Sequence, residues 1–436
     1  MTDKENKNLR NIVLNMLAET LDKGVFSHVV VNETFAAHEL TGQERSFVSR
    51  LYLGVLERLI YIDYCINRVS KTSTAKMKPI VLNILRMSVY QLLFMDGVPA
   101  HAAINEAGKL AKKRGFSQLV PFVNGVLRSI QRDGREAAEE NMPVNVKLSV
   151  PKWIYEMVSA NYGEERADVF FRNSLNTDSR LTIRLNARNG VEGDADKIVR
   201  SLEAEGCSLC PADGERSGYY LSGFGSLTGL KAYRDGLFSV QDLSSIRAAL
   251  AGCRELAADG VNAPLIIDVC GAPGGKSITA AQQFPEGRVI TRDLSETKTA
   301  LIRENVQRLG LKAICPQVWD AMVMDESLEE QADMVIADLP CSGLGVIGGK
   351  PDIKFRIRQK DLASLEKLQR DILGVVYRYV KPGGVLLYST CTINPGENKE
   401  NARWISEELP FDLAREEQIL EEGDGFYIAV FRRQRK

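Results

Sequence analysis

No stretch of about 18 apolar residues occurs in the chain, so no membrane-spanning helix is expected. The N-terminus lacks an apolar run bounded by a cleavage site, so no secretory signal is expected either. Cysteine is sparse: eight are scattered along the chain with none of the density of a disulfide framework, which points to reduced thiols and a cytoplasmic protein. Histidine is scarcer still. The only three, His28, His38 and His101, lie in the first quarter of the chain. Cys207-x-x-Cys210 has no second Cys-x-x-Cys to complete four tetrahedral ligands, so no metal is expected. Internal repeats and low-complexity tracts are missing too.

Two nucleotide-binding signatures fail. A phosphate-binding loop needs Gly-x4-Gly-Lys-Ser/Thr, but counting back from Gly275 puts Cys270 where the first glycine belongs. The same glycine-rich stretch, Cys270 to Lys276, does not match the Gly-x-Gly-x-x-Gly dinucleotide fingerprint either. These failures argue against an ATPase or a nicotinamide oxidoreductase.

The chain itself has 436 residues, 44% hydrophobic and 26% charged, which suits a globular protein of two or three domains. Its net charge of -1 hides an uneven distribution: residues 1–135 hold 19 Lys+Arg against 12 Asp+Glu. Further basic clusters fall at Lys350, Lys354, Arg356, Arg358 and Lys360, and at the C-terminal Arg432-Arg433-Gln434-Arg435-Lys436. Local basic surfaces on a near-neutral chain suit a polyanion such as RNA.

Apolar residues recur at helical spacing through residues 5–130, as in Leu9, Ile12, Val13 and Met16, and Pro79 sits where it can open a helix. An all-α N-terminal domain is expected over 1–135, followed by a linker over 136–150; Gly134 and the polar run after it break the helical pattern across 131–150. Residues 151–235 mix helix with short strands such as Leu181–Leu185 and read as a small α+β module. From 236 to 436 strands alternate with helices, the pattern of a parallel sheet covered on both faces. The expected strands include Leu265–Cys270, Arg288–Ile290, Pro316–Trp319, Asp333–Asp338 and Gly384–Thr390.

Asp268-Val269-Cys270-Gly271-Ala272-Pro273-Gly274-Gly275-Lys276 joins the first of these strands to a helix, and a glycine-rich turn there lets backbone approach a nucleoside. Asp293 stands 25 positions beyond Asp268, at the end of the second strand, where a carboxylate can accept ribose hydroxyls. Asp320 follows the third strand and Asp338 ends the fourth. Each aspartate alone reads equally well as a turn cap; four at successive strand ends favour one crevice.

The most specific pieces are Asp338-Leu339-Pro340-Cys341-Ser342-Gly343 and Ser389-Thr390-Cys391-Thr392. Two thiols at the ends of neighbouring strands suggest covalent catalysis. Carbon 5 of cytosine is a poor nucleophile until a thiolate adds to carbon 6 and makes it enamine-like. The residues alone leave open which thiol attacks. Cys65, Cys253, Cys270 and Cys315 read instead as small buried hydrophobes.

These motifs, with Ser389-Thr-Cys-Thr-Ile-Asn-Pro-Gly-Glu-Asn398, resemble the RNA 5-methylcytosine methyltransferases of the Nol/Nop/Sun family. The likeness extends along the whole chain. It is closest to the branch with an N-terminal domain similar to the antitermination factor NusB, and Val346-Ile-Gly-Gly-Lys-Pro-Asp-Ile-Lys354 also looks like that branch. The resemblance implies a multidomain protein: a NusB-like all-α bundle, a small α+β module and a Rossmann-like α/β methyltransferase domain. It implies S-adenosylmethionine as cofactor, held by Cys270, Gly271, Ala272, Pro273, Gly274, Gly275, Lys276, Asp293, Asp320 and Asp338. Cys391 would attack carbon 6, Cys341 would assist release, and Asp338 would hold the cytosine edge. The implied substrate is a cytosine in small-subunit (16S) ribosomal RNA, in a single-stranded or loop region, with transfer RNA or non-catalytic RNA binding during assembly as alternatives. Three positions depart from the family pattern: Gly271 replaces a common alanine, Trp319 precedes Asp320 in place of glycine, and Gly348-Gly349 replace a more basic pair.

Overall fold

The computed structural model describes residues 8–175, 181–187, 193–212, 218–420 and 424–435. The chain forms two compact units. One takes residues 1–176 together with 346–356, and the other takes 177–345 and 357–436.

Every regular element from Leu9 to Asn173 is helical, as the sequence periodicity predicts. Thr41 opens the helix Gly42–Glu57 with a capping box: its hydroxyl accepts from the Glu44 N–H while the Glu44 carboxylate accepts from the Thr41 N–H. Pro79 is the first residue of the helix Pro79–Phe94. The apolar stripes of these helices meet in one core that includes Leu14, Leu17, Val48, Leu51, Ile62, Leu85 and Leu127. Residues 131–150 differ from the expected linker. Gly134 turns to φ 70°, ψ −174°, but helix continues beyond it to Glu139, and a short helix Val144–Lys147 follows. Glu139 ties that stretch together, pairing with Arg135 at 2.8 Å and Lys147 at 2.7 Å. Residues 151–173, read from sequence as part of the α+β module, pack with the helical unit.

The segment Val346–Arg356 belongs to this helical unit although the chain on both sides belongs to the other. Lys354 is 3% exposed, and its Nζ donates to the carbonyls of Glu57 and Ser149, each at 2.9 Å. Burial pushes its ammonium down to about 7. Asp352 is buried too, accepting from the N–H and hydroxyl of Ser27 and pairing with Arg356 at 2.7 Å. Arg356 also donates to the carbonyls of Gly24 and Val25. Lys354 and Arg356 are therefore structural, while Lys350, Arg358 and Lys360 are exposed.

The second unit carries two sheets. In the smaller one, β1 (Leu181–Leu185), β2 (Ser208–Pro211), β3 (Gly218–Ser222) and β4 (Phe238–Val240) run in the order β2-β3-β1-β4, with antiparallel neighbours. Ile183, Leu185, Leu221 and Phe238 form its core with Ile198 and Leu202 of the helix Asp194–Ala204.

The larger sheet holds β5 (Leu265–Asp268), β6 (Arg288–Asp293), β7 (Ile314–Val318), β8 (Ala332–Asp338), β9 (Val380–Thr390), β10 (Phe411–Ile419) and β11 (Phe426–Arg433) in the order β10-β11-β9-β8-β5-β6-β7. The five strands β5 to β9 are parallel, and β10 and β11 add an antiparallel hairpin at the β9 edge. Alternate residues face opposite sides: Ile266, Met334, Ile336 and Leu387 enter one core, and Ile267, Val335, Ala337 and Leu386 the other. The strand order reverses between β5 and β8, which is where an open α/β sheet leaves a crevice beyond its carboxyl ends.

The hairpin alters the reading of the C-terminal basic cluster. Arg432 pairs with Glu255 and Asp259, and Arg433 with Glu330. Both lie in β11 and are neutralised within the fold rather than presented as a free basic patch. Lys436 lies outside the described residues.

Candidate active site

The carboxyl ends of β5, β8 and β9 are adjacent because these strands pair in register: Asp268 lies opposite Ile336, and Asp338 opposite Ser389. A cleft of about 150 Å³ opens there. Its walls are Cys270 to Pro273, Gly275 and Lys276 of the glycine turn, with Asp268 and Asp338. Gly274 reaches φ 110°, a conformation open to glycine, and so turns the chain into the helix Gly275–Gln283.

Asp268 is 1% exposed. One oxygen accepts from the Ser277 hydroxyl at 2.6 Å and the Cys270 N–H faces the carboxylate as well, but the other oxygen, Oδ1, is buried with no hydrogen bond of good geometry among the described residues. Burial pushes this carboxyl up to about 7. An orphaned acceptor beside a cleft suits a ligand that brings donors, as the ammonium and hydroxyl groups of S-adenosylmethionine would. The residues present therefore fit that cofactor.

Asp338 stands between this cleft and the thiols. Its Oδ2 accepts from Lys276 Nζ at 2.6 Å, and its Oδ1 from the Ser389 hydroxyl at 2.8 Å. The side chain remains 33% exposed, and a carboxylate with about four acceptor sites retains capacity for a further donor. Lys276, buried, also reaches Ser245 Oγ at 3.2 Å. Its ammonium thus positions Asp338.

Three residues past Asp338, Cys341 Sγ lies 3.4 Å from Cys391 Sγ, which follows the end of β9. The hydrogen bond with Cys391 and burial hold the Cys341 thiol well above the ordinary range, with the Glu397 carboxylate adding to the effect. Gly345 donates its N–H to the Cys391 carbonyl at 3.0 Å. A side chain there would meet the Gly425 carbonyl oxygen at 1.7 Å and the Cys391 carbonyl oxygen at 2.8 Å, so this close approach needs glycine.

Not every site residue read from sequence lines the cleft. Asp293 is buried; its oxygens accept from the Ala272 and Leu294 N–H groups, and Lys298 pairs with it at 3.2 Å. It braces the glycine turn from behind the cleft wall. Asp320 is exposed and accepts from the Met322 N–H at 2.9 Å. Trp319 donates its indole N–H to the Val323 carbonyl while Arg292 lies over its ring at 4.5 Å. Cys270 lines the cleft, but burial and the surrounding carboxylates push its thiol up to about 12, as suits packing rather than reaction. Sequence reasoning missed Gln241, Asp242 and Ser245, which form the far wall. The signal for Gln241 and Asp242 was a polar pair just before the helix Leu243–Ala258, where cap residues are expected, and Ser245 lies in the first turn of that helix. Among the described residues no group of three or more His, Cys, Asp or Glu could hold a metal ion.

The family described as 16S rRNA methyltransferase RsmB/F matches residues 256–412, and the NusB family matches residues 7–132. A probable ribosomal RNA small subunit methyltransferase B of Bacillus subtilis is 34% identical over 95% of this chain and 92% of its own. The ribosomal RNA small subunit methyltransferase B of Proteus mirabilis is 30% identical over 98% of this chain and 99% of its own. Among solved structures, the protein called PH0851 covers 98% of this chain and 100% of its own with a TM-score of 0.77 at 24% identity, which shows a shared fold. NSun6 from Pyrococcus horikoshii covers 66% of this chain and 99% of its own with a TM-score of 0.55 at 20% identity.

Proposed function

This chain belongs to the RsmB/F family of 16S ribosomal RNA methyltransferases, and on that premise we propose that it methylates carbon 5 of a cytosine in small-subunit ribosomal RNA through a covalent bond to Cys391. The observation that carries this reading is the pair of thiols 3.4 Å apart at the ends of neighbouring parallel strands, with Asp338 linking them to the cleft.

S-adenosylmethionine, when bound, supplies an electrophilic methyl group. Asp268, the glycine turn and the wall of Gln241, Asp242 and Ser245 would hold it, with Asp293 bracing the turn and the exposed Asp320 a further acceptor. Asp338, oriented by Lys276 and Ser389, accepts a donor from the Watson–Crick edge of the cytosine. Cys391 Sγ adds to carbon 6 and makes carbon 5 nucleophilic. After methylation water accepts the proton from carbon 5, the carbon 5–carbon 6 double bond re-forms and Cys391 leaves as the thiolate, with Cys341 assisting that elimination. The target base has to leave its stack to reach the thiols, which favours a single-stranded or loop region of the RNA. The helical domain, basic by residue count, docks that RNA.

The test is adduct trapping. Cys341→Ala, mixed with cofactor and ribosomal RNA, accumulates a protein–RNA adduct that survives denaturing electrophoresis, and Cys391→Ala forms none. The reverse pattern overturns the assignment of the two thiols.

A further inference from the structure

Glu397 is fully buried, and nothing in the chemistry above uses it. Its Oε2 accepts from the Ser342 N–H at 2.8 Å and from Gln369 Nε2 at 3.1 Å, and its Oε1 from Asn394 Nδ2 at 3.1 Å. Burial raises this carboxyl above the ordinary range, and the three donors act against that rise by favouring the ionised form. Gln369 Nε2 also donates to the Pro340 carbonyl at 2.9 Å. One carboxylate and one amide therefore grip the backbone on both sides of Cys341.

The other end of the grip is the loop that carries Cys391. Ser342 Oγ and Thr392 Oγ1 are 2.6 Å apart, and Asn398 Nδ2 donates to the Thr392 carbonyl at 3.0 Å. The Tyr388 hydroxyl of β9 donates to the Glu397 carbonyl. Gln369 is itself fixed, accepting from Asn401 Nδ2 at 2.7 Å. The titratable groups facing Cys341 are Cys391, Glu397 and Tyr388, with the Lys276–Asp338 pair at the start of the same loop.

We propose that Glu397 is the positioning residue that makes the two thiols unequal: it pins the Pro340–Ser342 loop against the Cys391 loop and sets a carboxylate at the backbone beside Cys341. This rests on the assignment of Cys391 as nucleophile. The Cys341 thiol is raised chiefly by its hydrogen bond with Cys391 and by burial, and the Glu397 carboxylate adds to that effect.

The test compares Glu397→Gln, which removes the charge but keeps the shape, with Glu397→Asp, which keeps the charge but shortens the reach. Alkylation of each thiol by iodoacetamide is followed against pH by peptide mass spectrometry, alongside kcat and the RNA KM. Glu397→Gln should shift the Cys341 alkylation profile to lower pH, so that Cys341 reacts about 10-fold faster near pH 8 for a shift of one unit. Glu397→Asp should leave that profile in place. Both should lower kcat at least ~10-fold with the RNA KM held within about 2-fold, as for a group that acts on positioning rather than binding. A Cys341 profile in Glu397→Gln that overlays the wild type, or wild-type kcat in either variant, overturns the proposal. Should Glu397→Gln not fold, Glu397→Asp decides through kcat alone. Adduct trapping in Cys341→Ala and Cys391→Ala keeps the two ideas apart: a reversed adduct pattern rejects the thiol assignment, whereas the expected pattern with unmoved Glu397 variants rejects only the role of Glu397.

Discussion

The two units each bury an ionisable side chain whose titration is moved to about pH 7, Lys354 in the helical unit and Asp268 in the sheet unit. Desolvation is the leading cause in both, yet the surroundings differ. Lys354 donates to two backbone carbonyls from different parts of the helical unit, so it acts as a clamp for the segment Val346–Arg356. Asp268 keeps one oxygen without a well-formed hydrogen bond among the described residues and lies on the wall of a cleft. A perturbed titration alone therefore does not mark a functional site; what marks it is an unmet hydrogen-bonding demand where a ligand can reach.

Replacing Asp268 sharpens that contrast most. Asp268→Asn should weaken cofactor binding by about 10-fold or more, the scale of a lost hydrogen bond to a charged group. Without cofactor the same variant should gain stability relative to wild type as the pH rises. The Asp268 carboxyl is raised in the folded state, so its contribution is fully present below its unfolded value of 3.8 and is lost as pH rises through about 7. Calorimetry and thermal melts at pH 5 and pH 8 check both halves.

Lys354→Met should behave oppositely, lowering Tm while leaving cofactor affinity unchanged. Two buried carbonyls lose their donor, at about 1–3 kcal/mol for each left unsatisfied. The sign with pH reverses as well. The ammonium is depressed in the folded state, so its contribution is fully present above 10.5 and is lost as pH falls through about 7. The gap between wild type and variant should narrow from pH 10 to pH 7; a cofactor-binding defect would break the comparison. The smallest effect belongs to Arg432→Ala. Its partly exposed pairs with Glu255 and Asp259 are worth roughly 1 kcal/mol or less. RNA affinity in a filter-binding titration should not change, because this arginine is already paired.

Much of this architecture is legible in the sequence. Helical spacing gives the N-terminal domain, and the helix Glu296–Leu309 falls where its pattern places it. The parallel strands stand out as apolar runs because both faces of that sheet are covered. The hairpin β10–β11 does not. Residues 412–416 are exposed on an edge strand, and Asp412, Arg415, Glu416 and Glu417 break the apolar run that marks a buried strand. Lys354 is equally unreadable, since a lysine among basic neighbours looks like a solvated one until its two carbonyl acceptors are placed around it. The thiol motifs and the glycine turn are local signals and could be read. The wall of Gln241, Asp242 and Ser245 is brought to them by the fold, and the bracing role of Asp293 depends on which backbone groups it faces.

The central claim is tested most directly by incubating the protein with methyl-labelled S-adenosylmethionine and unmodified small-subunit ribosomal RNA, then digesting the RNA and separating its nucleosides. The account predicts label in 5-methylcytidine that disappears in Cys391→Ala. Label in another nucleoside, or undiminished 5-methylcytidine in Cys391→Ala, would contradict it.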